Sequence, residues 1–195
     1  VDGARQAVTG RLDTDGVFAR RNRYVTDWDD TGQAQWVTSI GADLFRGHGR
    51  LDGPRRVTVT RDDGSRQTLA ARHAVAIATG SQPVLPDIAG IAEARPWTNR
   101  HGTDSIHVPA RLVIVGGGGV GVEMATLWQG LGAQVTLLAR RRLIPRMEPF
   151  AGELVAQGLT EAGVDVRTGV RVTALGPQGH GTGHPLPRRR QRTGG

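Results

Sequence analysis

The chain has 195 residues, 37% of them hydrophobic, and no cysteine, which excludes disulfides, thiolate metal sites and thiol redox chemistry within it. No run approaches the roughly 20 apolar residues of a membrane span, and no basic-then-apolar leader opens the sequence, so a cytoplasmic protein with no membrane partner is expected. The net charge is +7, but Arg188, Arg189, Arg190 and Arg192 lie in an acid-free stretch over 176–195; a nucleic-acid reader would carry its basic stripe on a folded face, so no nucleic-acid partner is expected.

Residues 1–42 have weak signals. Asp13-Thr14-Asp15-Gly16 and Asp29-Asp30-Thr31-Gly32 have turn composition, and the polar stretch between them is compatible with a helix. Leu44 and Phe45 suggest a short strand that ends at Arg46-Gly47-His48-Gly49. Arg56-Val57-Thr58-Val59-Thr60 alternates as a strand does. Asp63-Gly64 is a hairpin turn signal, with a return strand from Gln67 to Leu69. His73 to Ala78 reads as a buried strand stopped by Thr79-Gly80-Ser81.

Residues 82–110 contain Pro83, Pro86, Pro96 and Pro109 and read as a connection between two folded units. Arg111 to Val115 is apolar throughout after its first residue, as strands of parallel sheets are. A glycine turn follows, then a helix from Val120 to Leu131, with Gly132 placed to end it. Gln134–Leu138 is the next strand, Glu153–Ala162 a second helix ended by Gly163, Val164–Val166 a third strand, and Val170–Leu175 a candidate fourth. Residues 176–195 are Gly, Pro, His and Arg with almost nothing to bury, so disorder is expected there.

The motif Gly116-Gly117-Gly118-Gly119-Val120-Gly121 stands between a strand and a helix, with a second strand after it. That context turns a weak glycine pattern into the signature of a dinucleotide pyrophosphate site. Gly116 permits the tight turn, Gly118 admits the pyrophosphate to the backbone, and Gly121 lets helix and strand pack closely. The helix N-terminus offers unpaired N–H groups to the phosphates. NAD binders place an acid at the end of the second strand. Here that position falls near Ala139, and Arg140, Arg141, Arg142 and then Arg146 follow it. Guanidinium groups bind phosphate through paired donors, so this substitution points to NADP(H), with NAD(H) the alternative.

Ala78-Thr79-Gly80-Ser81-Gln82-Pro83-Val84-Leu85-Pro86, followed some thirty residues later by Val115-Gly116-Gly117-Gly118, resembles the flavoprotein disulfide reductases. Thr136 to Arg140 and Arg146-Met147-Glu148-Pro149 resemble the mercuric reductase branch in particular. The resemblance covers residues 43–175. It implies an α/β fold: a Rossmann-type βαβ unit with part of a second, FAD-binding α/β domain. The expected division is an incomplete FAD-binding domain over 1–106, an incomplete NAD(P)-binding domain over 107–175, and the tail. It also implies that Ala78, Thr79, Gly80 and Ser81 meet FAD, and that Gly47, His48 and Gly49 approach its adenosine end. By the same resemblance Glu123 lies on the nicotinamide side, and Arg140, Arg141 and Arg146 hold the 2′-phosphate. Gly117 belongs to the same turn. The implied activity is hydride transfer from NADPH to FAD, and onward to a disulfide, a metal ion or another acceptor.

The family's first FAD glycine motif, its redox-active cysteine pair and its dimerisation domain have no counterpart in this sequence. The expectation is therefore a fragment of an enzyme whose intact relatives are homodimers. The alternative is an NADP(H)-binding remnant without catalysis. No residue is named as a catalytic acid, base or nucleophile, and none as a metal ligand. His180 and His184 lie four apart without a further ligand. His73, His101 and His107 read as structural or solvated, and Asp62-Asp63 as a turn.

Overall fold

A computed structural model describes residues 12–176. The expectations for the Arg-rich tail, His180 and His184 lie outside the described residues. Two compact units divide between Gln82 and Pro83.

The first begins with α1 (Thr14–Tyr24), the helix expected between the two turn signals, and a short 3-10 turn (Thr26–Trp28). Both turn signals instead open helices: Thr14-Asp15-Gly16 form the first turn of α1, and the second signal starts α2 (Thr31–Ser39). Its cause is local: the Asp29 carboxylate accepts from the Thr31 N–H at 2.9 Å and so orients the first turn. Neither helix buries a residue.

Three antiparallel strands follow, β1 (His48–Leu51), β2 (Arg56–Thr60) and β3 (Arg66–Ala70), in that spatial order. The first differs from expectation. Leu44 and Phe45 are not in a strand, and β1 starts at His48, within the segment read as its end. Gly47 explains the shift: its φ is +143°, and a Cβ there would lie 2.5 Å from the Thr60 carbonyl oxygen. Only glycine lets the chain turn in so close to β2. The β2–β3 turn is as read, with Gly64 at φ +80° and the Asp63 carboxylate accepting from the Ser65 N–H at 2.8 Å. Asp63 is held below the usual carboxylate range by its bonds from Ser65.

The strand expected over His73–Ala78 does not form, and Ile77 is 67% exposed. An apolar run becomes a buried strand only where a neighbouring strand takes its N–H and C=O groups. No strand pairs with this one among the described residues.

The second unit takes in the residues from Pro83 on together with the described residues up to Asp15, so that Thr14 and Asp15 of α1 fall to it. The proline-rich segment is structured. Ala89 pairs with Ala174 in an isolated parallel bridge, and the Leu175 N–H donates to the Ala89 carbonyl at 2.8 Å. That bridge is what the candidate fourth strand amounts to. Short helices α3 (Ile91–Ala94) and α4 (Asn99–Asp104) follow. The Thr98 N–H donates to His101 Nδ1 at 2.9 Å, so His101 serves the start of α4.

The centre of the unit is β4 (Arg111–Val115), α5 (Gly119–Gly130), β5 (Gln134–Ala139), α6 (Pro149–Glu161) and β6 (Asp165–Thr168). The strands form a parallel sheet in the order β4-β5-β6. β5 alternates: Val135, Leu137 and Ala139 are buried while Thr136 and Leu138 are half-buried. α5 packs on its buried side and α6 packs on β6 and α5, with Ala125 and Trp128 of α5 and Leu159 of α6 in the core. The Trp97 ring meets Trp128 with centroids 5.6 Å apart, which ties the proline-rich segment to α5. Gly132 (φ +100°) and Gly163 (φ +95°) end both helices as the sequence predicts. The architecture is α/β with a Rossmann-type βαβ unit.

Candidate functional site

The strand-to-helix turn after β4 forms the candidate site. Gly116 sits at φ +125°, a conformation that side chains rarely adopt. Its N–H donates to the Leu138 carbonyl at 2.9 Å, which carries the β4–β5 ladder into the turn. A Cβ on Gly121 would run into the Gly116 carbonyl oxygen, so this glycine serves helix–strand packing. Gly118 is different. It has φ −79°, and a Cβ there meets no heavy atom within 4 Å. Neither backbone conformation nor packing requires glycine at 118, and the space beside it is open. Gly118 is also the N-cap of α5, with no side chain capping it, so the first-turn N–H groups remain available to an anion.

Gly117, which the sequence places only within the turn, proves to be a packing glycine. A Cβ there would lie 2.7 Å from Ala139 Cβ and 2.9 Å from Leu143 Cδ2. The turn is thereby pressed against the end of β5 and the loop that follows it. Together Gly116, Gly117, Gly118, Ala139, Arg140, Arg141, Arg142 and Pro145 line an open cleft of about 270 Å³. The glycine turn and the arginine cluster, more than twenty residues apart in sequence, meet there.

The arginines in that loop are not equivalent. Arg140 and Arg141 are exposed on the cleft with no hydrogen-bond or ion-pair partner among the described residues. Arg142 is engaged: its Nη2 donates to the carbonyls of Pro145 (3.2 Å) and Met147 (2.8 Å). Arg146 is exposed but does not line the cleft. Glu123 lies in the second turn of α5, exposed. The fully buried Leu143 and the adjoining Ile144 escaped sequence reading. Their one signal was an apolar pair inside a run of arginines.

The other candidate residues lie in the first unit. His48 and Gly49 are exposed on β1, and Gly47 is accounted for by the hairpin. Ala78, Thr79, Gly80 and Ser81 are exposed outside any helix or strand, with Gly80 at φ +70°. Neither a hydrogen bond nor a strand pairing links these two segments among the described residues. No group of three or more His, Asp or Glu side chains fit to hold a metal occurs among the described residues.

The second unit thus defines a class, the Rossmann-type α/β folds. The sequence matches the family described as pyridine nucleotide-disulphide oxidoreductase over residues 5–184. The chain belongs to that family, as the resemblance read from Ala78–Pro86 and the glycine turn implied. Similar proteins include a mercuric reductase of Shigella flexneri, 34% identical over 85% of this chain and 29% of the relative. A dihydrolipoyl dehydrogenase of Pseudomonas aeruginosa is 35% identical over 75% of this chain and 30% of the relative. Among solved structures, the Cu(II) complex of a mutant of the HOCl-induced flavoprotein disulfide reductase RclA from Escherichia coli has a TM-score of 0.74. It is 24% identical, with 89% of this chain and 38% of that one covered, and supports the fold. The chain spans between a quarter and a third of the length of the curated relatives it matches.

Proposed function

We propose that this chain carries the NADP(H)-binding part of an FAD-dependent pyridine nucleotide oxidoreductase. The observation that supports this best is the cleft shared by the open Gly118 and the unpaired Arg140 and Arg141. The α5 N-terminus receives the pyrophosphate through its free N–H groups. Arg140 and Arg141, which line the cleft, hold the 2′-phosphate, and Arg146, outside the cleft lining in the same loop, reaches toward it from the exposed side. Ala139, where NAD binders carry an acid, leaves no carboxylate to repel that phosphate. Glu123 faces the nicotinamide side.

In the whole protein the flavin takes hydride from NADPH and passes electrons to a disulfide, a metal ion or another acceptor. Residues 107–175 belong to the NAD(P) side. Within residues 1–106, Gly47, His48, Gly49, Ala78, Thr79, Gly80 and Ser81 belong to the FAD side. The protein works in the cytoplasm on small-molecule dinucleotides.

A second reading is an NADP(H) binder without redox activity. It is favoured by the absence of cysteine and by the exposed 78–81 segment, which has no strand beside it among the described residues. Adding FAD, desalting, and then adding NADPH anaerobically separates the two. Retained flavin absorbance that bleaches with NADPH supports the oxidoreductase. Loss of flavin on desalting, with NADPH still bound, establishes the second reading.

A further inference from the structure

We infer that Arg142 is a positioning residue for 2′-phosphate recognition: it staples the 140–147 loop so that Arg140 and Arg141 face the cleft, and does not bind the phosphate itself. This rests on the NADP(H) reading and adds to it how the selectivity is built.

Of the three consecutive arginines after β5, Arg142 alone is occupied by the protein. One guanidinium nitrogen donates to two carbonyls of its own loop, Pro145 and Met147. Those bonds draw the chain back on itself just after the phosphate-facing pair. The fold here is not one the backbone adopts by preference. Ile144, a β-branched residue, sits at φ +38°, a left-handed conformation that is unfavourable for such side chains. Three contacts hold it there. The Ile144 N–H donates to the Gly117 carbonyl at 2.7 Å. The Met147 N–H donates to the Ile144 carbonyl at 2.9 Å. Leu143, 1% exposed, is buried as a plug, with its carbonyl 2.5 Å from where a Cβ on Gly152 would stand.

The consequence is a coupling between two halves of one ligand site. Through Ile144 and Gly117 the arginine loop is bonded directly to the turn that receives the pyrophosphate. A loop with three flexible arginines would lose much side-chain and backbone freedom on gripping a phosphate. A loop already shaped by Arg142, Leu143 and Ile144 loses less, so its remaining arginines discriminate more strongly between a 2′-phosphate and a 2′-hydroxyl.

The test compares the full chain with Arg142→Ala, Arg142→Lys and Arg140→Ala. NADPH and NADH affinities are measured by calorimetry, and amide hydrogen exchange is followed in the absence of nucleotide. In Arg142→Ala, NADPH preference falls on the order of tenfold, NADH binding is nearly unchanged, and the Ile144 and Met147 amides exchange faster. Arg142→Lys, which keeps a charged donor, lies between wild type and alanine. Arg140→Ala loses NADPH preference with loop exchange unaltered. If Arg142→Ala lowers NADPH affinity while loop exchange stays at the wild-type rate, Arg142 is a direct ligand and the inference is overturned. If the wild-type preference survives in Arg142→Ala but not in Arg140→Ala, the inference alone fails. If the wild type does not prefer NADPH, the NADP(H) reading fails as well. Unchanged exchange in β4 and β5 shows that each variant is folded.

Discussion

At the scale of single residues, four glycines of one motif have three separable reasons to be glycine: conformation at Gly116, open space at Gly118, and packing at Gly117 and Gly121. Gly121→Ala forces a methyl group into the Gly116 carbonyl and should destabilise the chain by about 1–3 kcal/mol, the usual range for overpacking. Thermal unfolding will show it as a lowered Tm. Gly118→Ala meets open space at a φ any residue tolerates, so its Tm should stay close to wild type. Its NADPH affinity should nevertheless fall, because the methyl group occupies the approach of the phosphate. An alanine at 118 that binds normally would place the nucleotide elsewhere. The glycine spacing was readable in sequence because a tight strand–turn–helix with close helix–strand packing tolerates few alternatives. The role of Gly117 was not, because its neighbours Ala139 and Leu143 are 22 and 26 residues away in sequence.

Among the elements, the sheet has one covered face and one open face. Leu112, Ile114, Val135, Leu137 and Val166 share the helix-facing side by register, while Val113 and Val115 on the other side are 61% and 46% exposed. Among the described residues β4 also has no strand on its outer side. Exposed apolar strands with an open edge promote association. Val113→Lys should therefore reduce concentration-dependent self-association in analytical ultracentrifugation without altering the far-ultraviolet circular dichroism.

The same open face carries a polar cross-strand set. Arg167 donates to Asp165 at 2.7 Å, and Thr136 donates to it at 3.4 Å. The hydrogen bond from Arg167 and the charge behind it hold the Asp165 carboxyl below the usual carboxylate range. A lowered folded-state value stabilises the fold above the ordinary carboxylate pKa. That contribution is lost as pH falls through the lower value of Asp165 itself. Arg167→Ala should move the Asp165 titration upward in carbon-13 NMR; an unmoved titration would show that the pair does not persist in solution. Strand identity over 111–139 was legible because each run is short, largely apolar and set off from the helix between them by glycine at Gly116 and Gly132. The strand read over 73–78 has the same composition and does not form, since a strand is a property of a pair.

For the whole molecule, burial is uneven. Of the buried hydrophobic residues, Val59 alone belongs to the Gly16–Gln82 unit; the others, including Trp128, Leu137 and Leu143, belong to the second. Stability follows buried apolar area, so amide protection should concentrate in β4, β5 and α5. The β1–β2–β3 hairpins should exchange sooner. Equal protection in both units would contradict that distribution. Leu137→Ala, at a fully buried site, should cost about 2–5 kcal/mol in chemical denaturation.

By itself the sequence determined the α/β class, the βαβ unit, the turn glycines, the helix-ending Gly132 and Gly163, and the family. All of these rest on local conformation and on spacings within one supersecondary unit, where neighbours in sequence are neighbours in space. Only the tertiary structure decided that Gly117 is a packing residue, that of the three arginines on the cleft Arg142 is bonded to its own loop while Arg140 and Arg141 stay unpaired, and that the apolar run at 73–78 stays out of any sheet. These depend on which distant backbone groups and side chains arrive beside a residue, and three arginines in a row carry no mark in sequence of which one the fold will claim.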